Sequence, residues 1–420
     1  MSESRPTPRR PPRGGSPRIE RAYLRVQQLC KRLSPMIVPY ARRVLRFLAL
    51  PYCYFAQVDW AECTASRLRV AGDLLYIFFR LKYYPDNYSL CRLWTVDRRD
   101  WHLYYGSMYE PYQRRQLQRE VQPHEYQVVF ADKEICQHLC MSLGLPVPRF
   151  LGCVDPDDDH VRVIHEGLAR CAGRQLIAKP VRGAGGRGVL LIEEQHGEPI
   201  ARVAGNRTPL GALKITERMI LQERVQQHEA MAAIYGSALN TIRIQTLLNR
   251  GGEVVVLGAA ARFGRNMSSV DNMSSGGIGV GVGLDEGRLM RVGRDFDSRE
   301  YEKHPESGVK FEGYAIPNWT EAVELVKRAQ THFSCFRLLG FDVAFTPSGP
   351  VIIEINPGPD NVFLEQCYGP ILARPATVLE FDRYGLLINR PTKALAGRLR
   401  AKDADTSLHD IAVAKFNGQH

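Results

Sequence analysis

The sequence predicts an α+β fold of more than one lobe, preceded by a mainly helical N-terminal region. Three observations carry this. Residues 20–125 are rich in Leu, Tyr and Arg, poor in Gly, and place apolar residues such as Leu74, Leu75, Phe78, Phe79 and Leu81 at helix-like spacing. From Gln175 onward short β-rich runs alternate with Gly-containing turns. Helical periodicity interrupts the later chain at 131–144 and 322–333, which gives strands in antiparallel runs with helices interspersed.

Residues 1–19 form a tail of Arg and Pro with too little apolar surface to offset the entropy of ordering, and are expected to be disordered. The formal net charge of +11 is concentrated there and just beyond. Residues 1–46 carry twelve Lys or Arg against Glu3 and Glu20, so they hold +10 and leave +1 for the rest. A basic tail can touch anionic lipid or nucleic acid, but a merely solubilising tail is the commoner case, and no function rests on it. With a nearly neutral body, no specific nucleic-acid partner is expected.

The ten cysteines are scattered from Cys30 to Cys367 without a Cys-x-x-Cys pair. Cys136 and Cys140 lie one helical turn apart but lack the further ligands of a zinc site, so buried thiols in a reducing compartment are expected. The most apolar stretches, 44–55 and 70–81, are broken by Arg46, Pro51, Asp73 and Arg80. Neither supplies the roughly 18 uninterrupted apolar residues of a membrane span. A cytoplasmic protein follows, with peripheral membrane contact left open.

The helix over 131–144 rests on Ile135, Leu139 and Leu143 and stops at Gly144, with Pro146 and Pro148 beyond. Strands are expected at 175–179, 189–192, 219–225, 241–248, 254–263 and 277–282, then at 340–345 and 351–356 after the helix 322–333. Between the first two strands Gly183, Gly185 and Gly188 satisfy a Gly-x-Gly-x-x-Gly pattern, with Gly186 inside it. A dinucleotide-binding loop of that kind opens a helix, whereas this one runs into the strand signal Val189–Ile192. Strand, glycine loop, strand is the layout of a flap whose backbone amides fold over phosphates. Lys179, just ahead of it, can neutralise a phosphate or can be a surface lysine beside a hairpin; the two readings are even in isolation. A protein kinase is excluded, because neither His-Arg-Asp nor Asp-Phe-Gly occurs after residue 188.

The sharpest constellation is the run 340–356. With a turn centred near Ser348, Asp342 and Glu354 lie opposite each other, six residues to either side. Like charges so placed destabilise a sheet by up to about 1 kcal/mol unless something positive lies between them. Asn356, two residues on, adds a neutral oxygen on the same face. Two carboxylates and an amide make a hard-oxygen site with open positions, of the type that holds Mg²⁺ through its phosphates.

With Lys179, the flap and the set Asp342, Glu354 and Asn356 in this order, the sequence resembles the ATP-grasp superfamily, closest to its sugar-transfer-associated or α-L-glutamate-ligase-related branch. The resemblance covers about Glu125 to Glu365 and rests on the segments 240–247, 270–280, 304–308, 316–319 and 340–356. It implies two α+β lobes clasping ATP over 126–390, a flap lobe at about 171–235 and a metal-binding lobe at about 236–390, with 391–420 as a C-terminal tail. It further implies that Lys133 and Lys179 contact the nucleotide, that Gln222, Glu223 and Val225 form the hinge strand under adenine, and that Glu229 binds the ribose. Arg243 and Arg262 match arginines that meet an acyl phosphate, and Asp342, Glu354 and Asn356 match the ligands of Mg²⁺, with two ions expected and Mn²⁺ an alternative.

The resemblance implies an ADP-producing carbon–nitrogen ligase that joins a small-molecule carboxylate to an amine, in cell-surface polysaccharide or natural-product biosynthesis. Asn272 and Ser274, before a Gly-rich run, are candidates for contacting substrate, although a tight turn explains Asn272 almost as well. His304 is a candidate base for the incoming amine, against an ordinary loop histidine. A phosphotransferase acting on a hydroxyl and a non-catalytic ATP-binding module of an envelope assembly system are the alternatives. The first differs in its product, and the second is expected to have lost its metal ligands.

Overall fold

Thirteen strands divide between two antiparallel sheets in the computed structural model, which describes residues 38–106, 111–171, 175–183, 188–195, 198–203, 206–266, 271, 273 and 276–401. The Arg- and Pro-rich tail lies outside the described residues. Two compact units emerge, Gln118–Asp360 and a second that joins Met1–Leu117 to Asn361–His420.

In the Gln118–Asp360 unit the smaller sheet comprises β1 (Phe150–Val154), β2 (Gln175–Pro180), β3 (Leu190–Gln195), β4 (Glu198–Val203), β5 (Asn206–Pro209) and β6 (Met219–Glu223), in the order β1-β6-β2-β3-β4-β5. Alternation along β2 sends Leu176 and Ala178 into a core shared with Ile192, Leu221 and the helix His160–Ala169. The expected strand 219–225 ends earlier, at Glu223, so Val225 lies beyond it. The strand–loop–strand layout stands, with β2 and β3 antiparallel neighbours.

The larger sheet comprises β7 (Thr241–Leu248), β8 (Val254–Phe263), β9 (Ile278–Val282), β10 (Leu289–Asp295), β11 (Glu300–Tyr301), β12 (Leu338–Thr346) and β13 (Gly349–Asn356), in the order β11-β10-β9-β8-β7-β12-β13. The helix Trp319–His332 covers one face through Ala322, Leu325, Val326 and Ala329, a stripe at three- and four-residue spacing. β12 is buried along its whole length, which is why it reads as a near-continuous apolar run apart from Asp342.

In the other unit, short helices from Val38 to Leu103 enclose an aromatic core of Tyr83, Tyr84, Tyr88, Trp94 and Trp101. Sequence reasoning drew the ATP-grasp region to 390 and a tail after it. The contacts instead group Asn361 onward with the N-terminal helices. Buried Glu365 accepts a hydrogen bond from the backbone N–H of Tyr105 at 2.6 Å, Tyr105 packs edge-on to Phe381 at 5.0 Å, and Ile388 enters the aromatic core. The described part of the supposed tail is the helix Arg390–Ala401, with Leu395 and Ala396 buried.

Candidate nucleotide and metal site

The β12–β13 hairpin sets the acidic pair. Its turn is Pro347–Ser348, closed by Thr346 opposite Gly349, whose φ of +119° suits glycine. Counted from that turn alone, Asp342 would face Ile353. An irregularity between Asp342 and Val343 adds one residue to β13 and brings Asp342 opposite Glu354. The expected pairing is therefore present, but a β-bulge produces it rather than a turn centred on Ser348. Asn356 Nδ2 donates to Asp342 Oδ2 at 3.4 Å.

Register brings the two arginines to the same acid. Arg243 on β7 pairs with Asp342 on β12, and its Nε and Nη2 donate to the two carboxylate oxygens, the latter at 3.0 Å. Arg262, one strand further on, reaches Asp342 Oδ2 at 2.9 Å. Arg262 also donates to Thr241 Oγ1 at 2.6 Å and lies 3.6 Å from Asp271, which accepts the Thr241 N–H at 2.9 Å. Burial pushes the Asp342 carboxyl up, but Arg243 and Arg262 outweigh it and hold the group below the usual carboxylate range. Asp271 shows the opposite balance: burial raises it more than Arg262 and Thr241 lower it. Sequence reasoning did not single out Thr241, and a threonine opening a β strand gives no signal of that role.

A solvent-open cleft is lined by Lys133, Lys179, Gln222 and Glu354 together with Phe130, Cys136, Cys140, Val147 and Ile352. Lys133 begins the helix Lys133–Ser142, whose N-cap Asp132 accepts from Ile135 N at 3.1 Å. Its Nζ donates to Gly183 O at 2.6 Å, where the glycine loop begins, and stands 3.7 Å from Glu354 Oε1. Lys179, half-buried on β2, has no hydrogen-bond or ion-pair partner among the described residues, and burial lowers its pKa. Cys136 and Cys140, the cysteines at one-turn spacing, line this cleft. Positions 133, 136, 137 and 140 share one helix face, the signal that could have placed them there.

Gln222 is buried and donates to Gln137 Oε1 at 2.8 Å, while its own Oε1 is buried without a partner. Glu223 closes β6 and lies 3.7 Å from Arg149. Glu229 is exposed in the first turn of the helix Glu229–Ile234. His304 is fully buried: Nε2 meets Gly264 O at 2.9 Å, Nδ1 accepts from Glu306 N at 3.4 Å, and Tyr235 packs against the ring at 5.3 Å. Both ring nitrogens thus tie loops together rather than face solvent, which removes the premise for a general base there. Gly183 and Gly188 border the glycine loop, whereas Gly185, Gly186, Asn272 and Ser274 lie outside the described residues.

Among the described residues no three His, Cys, Asp or Glu side chains are grouped to hold a metal ion. Asp342, Glu354 and Asn356 offer two carboxylates and an amide instead. This hard-oxygen set fits a Mg²⁺ ion that takes its remaining ligands from phosphate and water. The Asp342 carboxylate stays ionised beneath its arginines, and its Oδ1, with the single donor Arg243 Nε, retains a lone pair.

Residues 112–377 match the family model described as sugar-transfer associated ATP-grasp. No curated protein matches the chain. Solved structures similar to it include the VanG D-Ala:D-Ser ligase from Enterococcus faecalis, at 15% identity and a TM-score of 0.34, covering 61% of this chain and 62% of that one. The D-cycloserine synthetase DcsG matches at 16% identity and a TM-score of 0.35, covering 64% and 70% respectively. An ADP complex of N5-carboxyaminoimidazole ribonucleotide synthetase matches at 14% identity and a TM-score of 0.32 over 59% of this chain. The chain spans 47% of that synthetase's length.

Proposed function

This chain belongs to the sugar-transfer associated ATP-grasp family, and we propose that it uses ATP to convert a small-molecule carboxylate to an acyl phosphate and passes the acyl group to an amine. The observation that carries the reading is Lys179. A half-buried cation lining a cleft, with no hydrogen-bond or ion-pair partner among the described residues, has a pKa that burial lowers even though the Glu354 carboxylate of the same cleft acts in the opposite direction, and a phosphate would give it the direct contact it lacks.

The remaining groups fit the same ligand. The orphaned Gln222 Oε1 is an acceptor suited to the exocyclic amine of adenine. Lys133 links the cleft to the glycine loop through Gly183. Glu354, Asn356 and Asp342 would hold Mg²⁺, which when bound supplies neutralising charge to the phosphates. In the reaction a carboxylate oxygen attacks the γ-phosphorus and ADP leaves. The amine nitrogen then attacks the acyl carbon, loses its proton and expels phosphate. The protein's contribution is alignment and charge stabilisation, and no covalent nucleophile is required. Arg243 and Arg262, held rigid by Asp342, keep further N–H donors for charge developing on the transferring group.

The test is incubation of the protein with ATP, Mg²⁺ and pools of amino acids and sugar acids. Release of ADP and free phosphate that depends on both a carboxylate and an amine is expected. Phosphate transferred intact to a hydroxyl would replace the ligase reading with a phosphotransferase, and absence of ATP binding would end both.

A further inference from the structure

The helical unit that contains the N-terminal region exposes an apolar surface that its own core leaves uncovered. Of the thirteen large apolar side chains exposed among the described residues, seven fall between Val44 and Phe79. Six of them, all but Phe55, lie on two neighbouring helical faces. The helix Val38–Leu48 presents Val44, Phe47 and Leu48, at 59%, 42% and 64% exposure. The helix Arg67–Tyr76 and the turn Ile77–Leu81 that continues it present Leu68, Leu75 and Phe79, at 88%, 44% and 61%.

Positions 68, 72, 75 and 79 follow the three- and four-residue spacing of one helix face. At Gly72, in the middle of that face, an added Cβ would meet nothing within 4 Å, so the stripe is open along its length. The opposite face, Val70, Leu74, Ile77, Phe78 and Leu81, fills the core. Phe47 and Phe79 stand 5.6 Å apart, ring to ring, and join the two stripes into one patch.

Charge says what would cover it. From Arg21 to Val58 the sequence has seven Lys or Arg and no Asp or Glu. Arg43 lies over the Phe78 ring at 3.7 Å, close to the apolar stripe. Across the patch and its flanks, residues 43–82, six Lys or Arg stand against Asp59, Glu62 and the buried Asp73. Apolar residues with an excess of cations are the composition of a surface that lies on anionic lipid, its apolar side chains in the acyl boundary and its cations among the headgroups. No helix of the described residues is long and apolar enough to cross a membrane. We propose that this patch, from Val44 to Phe79, docks the protein peripherally on an anionic membrane surface. The proposal is independent of the nucleotide cleft.

The test uses the full chain and co-sedimentation with phosphatidylcholine vesicles, with and without phosphatidylserine. Binding is expected with phosphatidylserine and at least about tenfold weaker without it. The variant Leu68→Asp/Phe79→Asp should bind phosphatidylserine vesicles at least about tenfold more weakly at an unchanged melting temperature. Val44→Asp, on the other stripe, should act in the same direction and guards against a folding artefact in the first variant. Wild-type affinity in both variants would assign binding to tail charge alone and overturn the proposal. So would failure of the wild-type protein to bind, or a dimer in sedimentation velocity that the same substitutions dissolve.

Discussion

Arg262 Nη2 stands 2.9 Å from Asp342 Oδ2, so the arginine expected at the acyl phosphate and the acid expected at the metal are one ion pair, with Arg243 bound to the same carboxylate. The cluster is buried, so its parts cannot be removed with equal effect. Asp342→Asn removes the carboxylate that Arg243 pairs with and leaves Arg262 only Asp271 at 3.6 Å, and should destabilise the protein by about 3–5 kcal/mol. Arg262→Ala leaves Asp342 its Arg243 partner and should be milder in stability, while the catalytic rate falls by about a hundredfold or more. If both arginines serve one transition state, the double alanine variant loses less than the product of the single losses. Denaturant melts beside single-turnover kinetics separate these outcomes. Unchanged chemistry in both single variants would leave the arginines a purely structural role.

The same pair predicts the acid limb of stability. The folded pKa of Asp342 is lowered, so its contribution is complete above the unfolded value of about 3.9 and is lost as pH falls through the lower folded value. Melting curves of wild type and Asp342→Asn should therefore differ by a constant amount above about pH 5 and converge in more acidic solution. A difference that vanished near neutrality would place the titration on another group.

Parts of this geometry were legible because they are local. Asp342 and Glu354 sit on adjacent strands joined by a two-residue turn, and counting from the turn brings them within one residue of register. The bulge that completes the match has no signature in Val343 or Ile353. The strands Thr241–Leu248 and Val254–Phe263 were read to the residue because β-branched runs end at Gly and Asn turns. Leu289–Asp295 was missed because Arg291, Arg294 and Asp295 give it the polarity of a loop, although Arg294 and Asp295 are buried. The return of Asn361–Ala401 to the N-terminal helices was not legible. It depends on Glu365 meeting the Tyr105 backbone some 260 residues away, and nothing near either residue encodes that distance. Likewise, His304 reads as a loop histidine whether its nitrogens face water or, as here, carbonyl and amide groups.

Glu354→Gln should abolish ATP-dependent turnover at little cost in stability. Among the described residues the only ion pair it breaks is with Lys133 at 3.7 Å, between side chains 19% and 33% exposed, which is worth less than about 1 kcal/mol. Volume is preserved and one of two carboxylates that would hold Mg²⁺ is lost. Phosphate release at saturating ATP, measured across a Mg²⁺ titration, checks it. Wild-type turnover would remove Glu354 from the metal site.

Lys179→Met should stabilise the ligand-free protein and remove ATP binding together. Burial lowers the lysine's folded pKa, so below that value the charged group carries a desolvation cost, and the cost disappears only as pH rises toward the unfolded value of about 10.4. An apolar side chain of similar length avoids that cost near neutral pH. A rise in Tm of about 2–4 °C without nucleotide is expected, with loss of the further rise that ATP gives the wild type. A lower Tm without nucleotide would mean that Lys179 has a structural partner.

Gly188→Ala tests the loop that the sequence first drew attention to, because its two described glycines make opposite demands. Gly188 has a φ of +73°, and a Cβ there would stand 2.9 Å from Pro180 Cγ, on a ring that cannot swing aside. Alanine must therefore shift the backbone where the loop enters β3, a strain of about 1–3 kcal/mol. At Gly183, where the backbone is not left-handed, an added Cβ finds its nearest neighbour, Pro180 Cβ, at 3.7 Å, an ordinary contact. If the loop closes over phosphates, Gly188→Ala should raise the KM for ATP by about tenfold or more, while Gly183→Ala remains near wild type, since Lys133 holds residue 183 through its carbonyl oxygen and not its side chain. Isothermal titration with ADP and with adenosine sharpens the comparison. A loop that serves phosphates weakens ADP and leaves adenosine unchanged, whereas equal weakening of both would mean that the strained backbone has disturbed β2 and β3 as a whole.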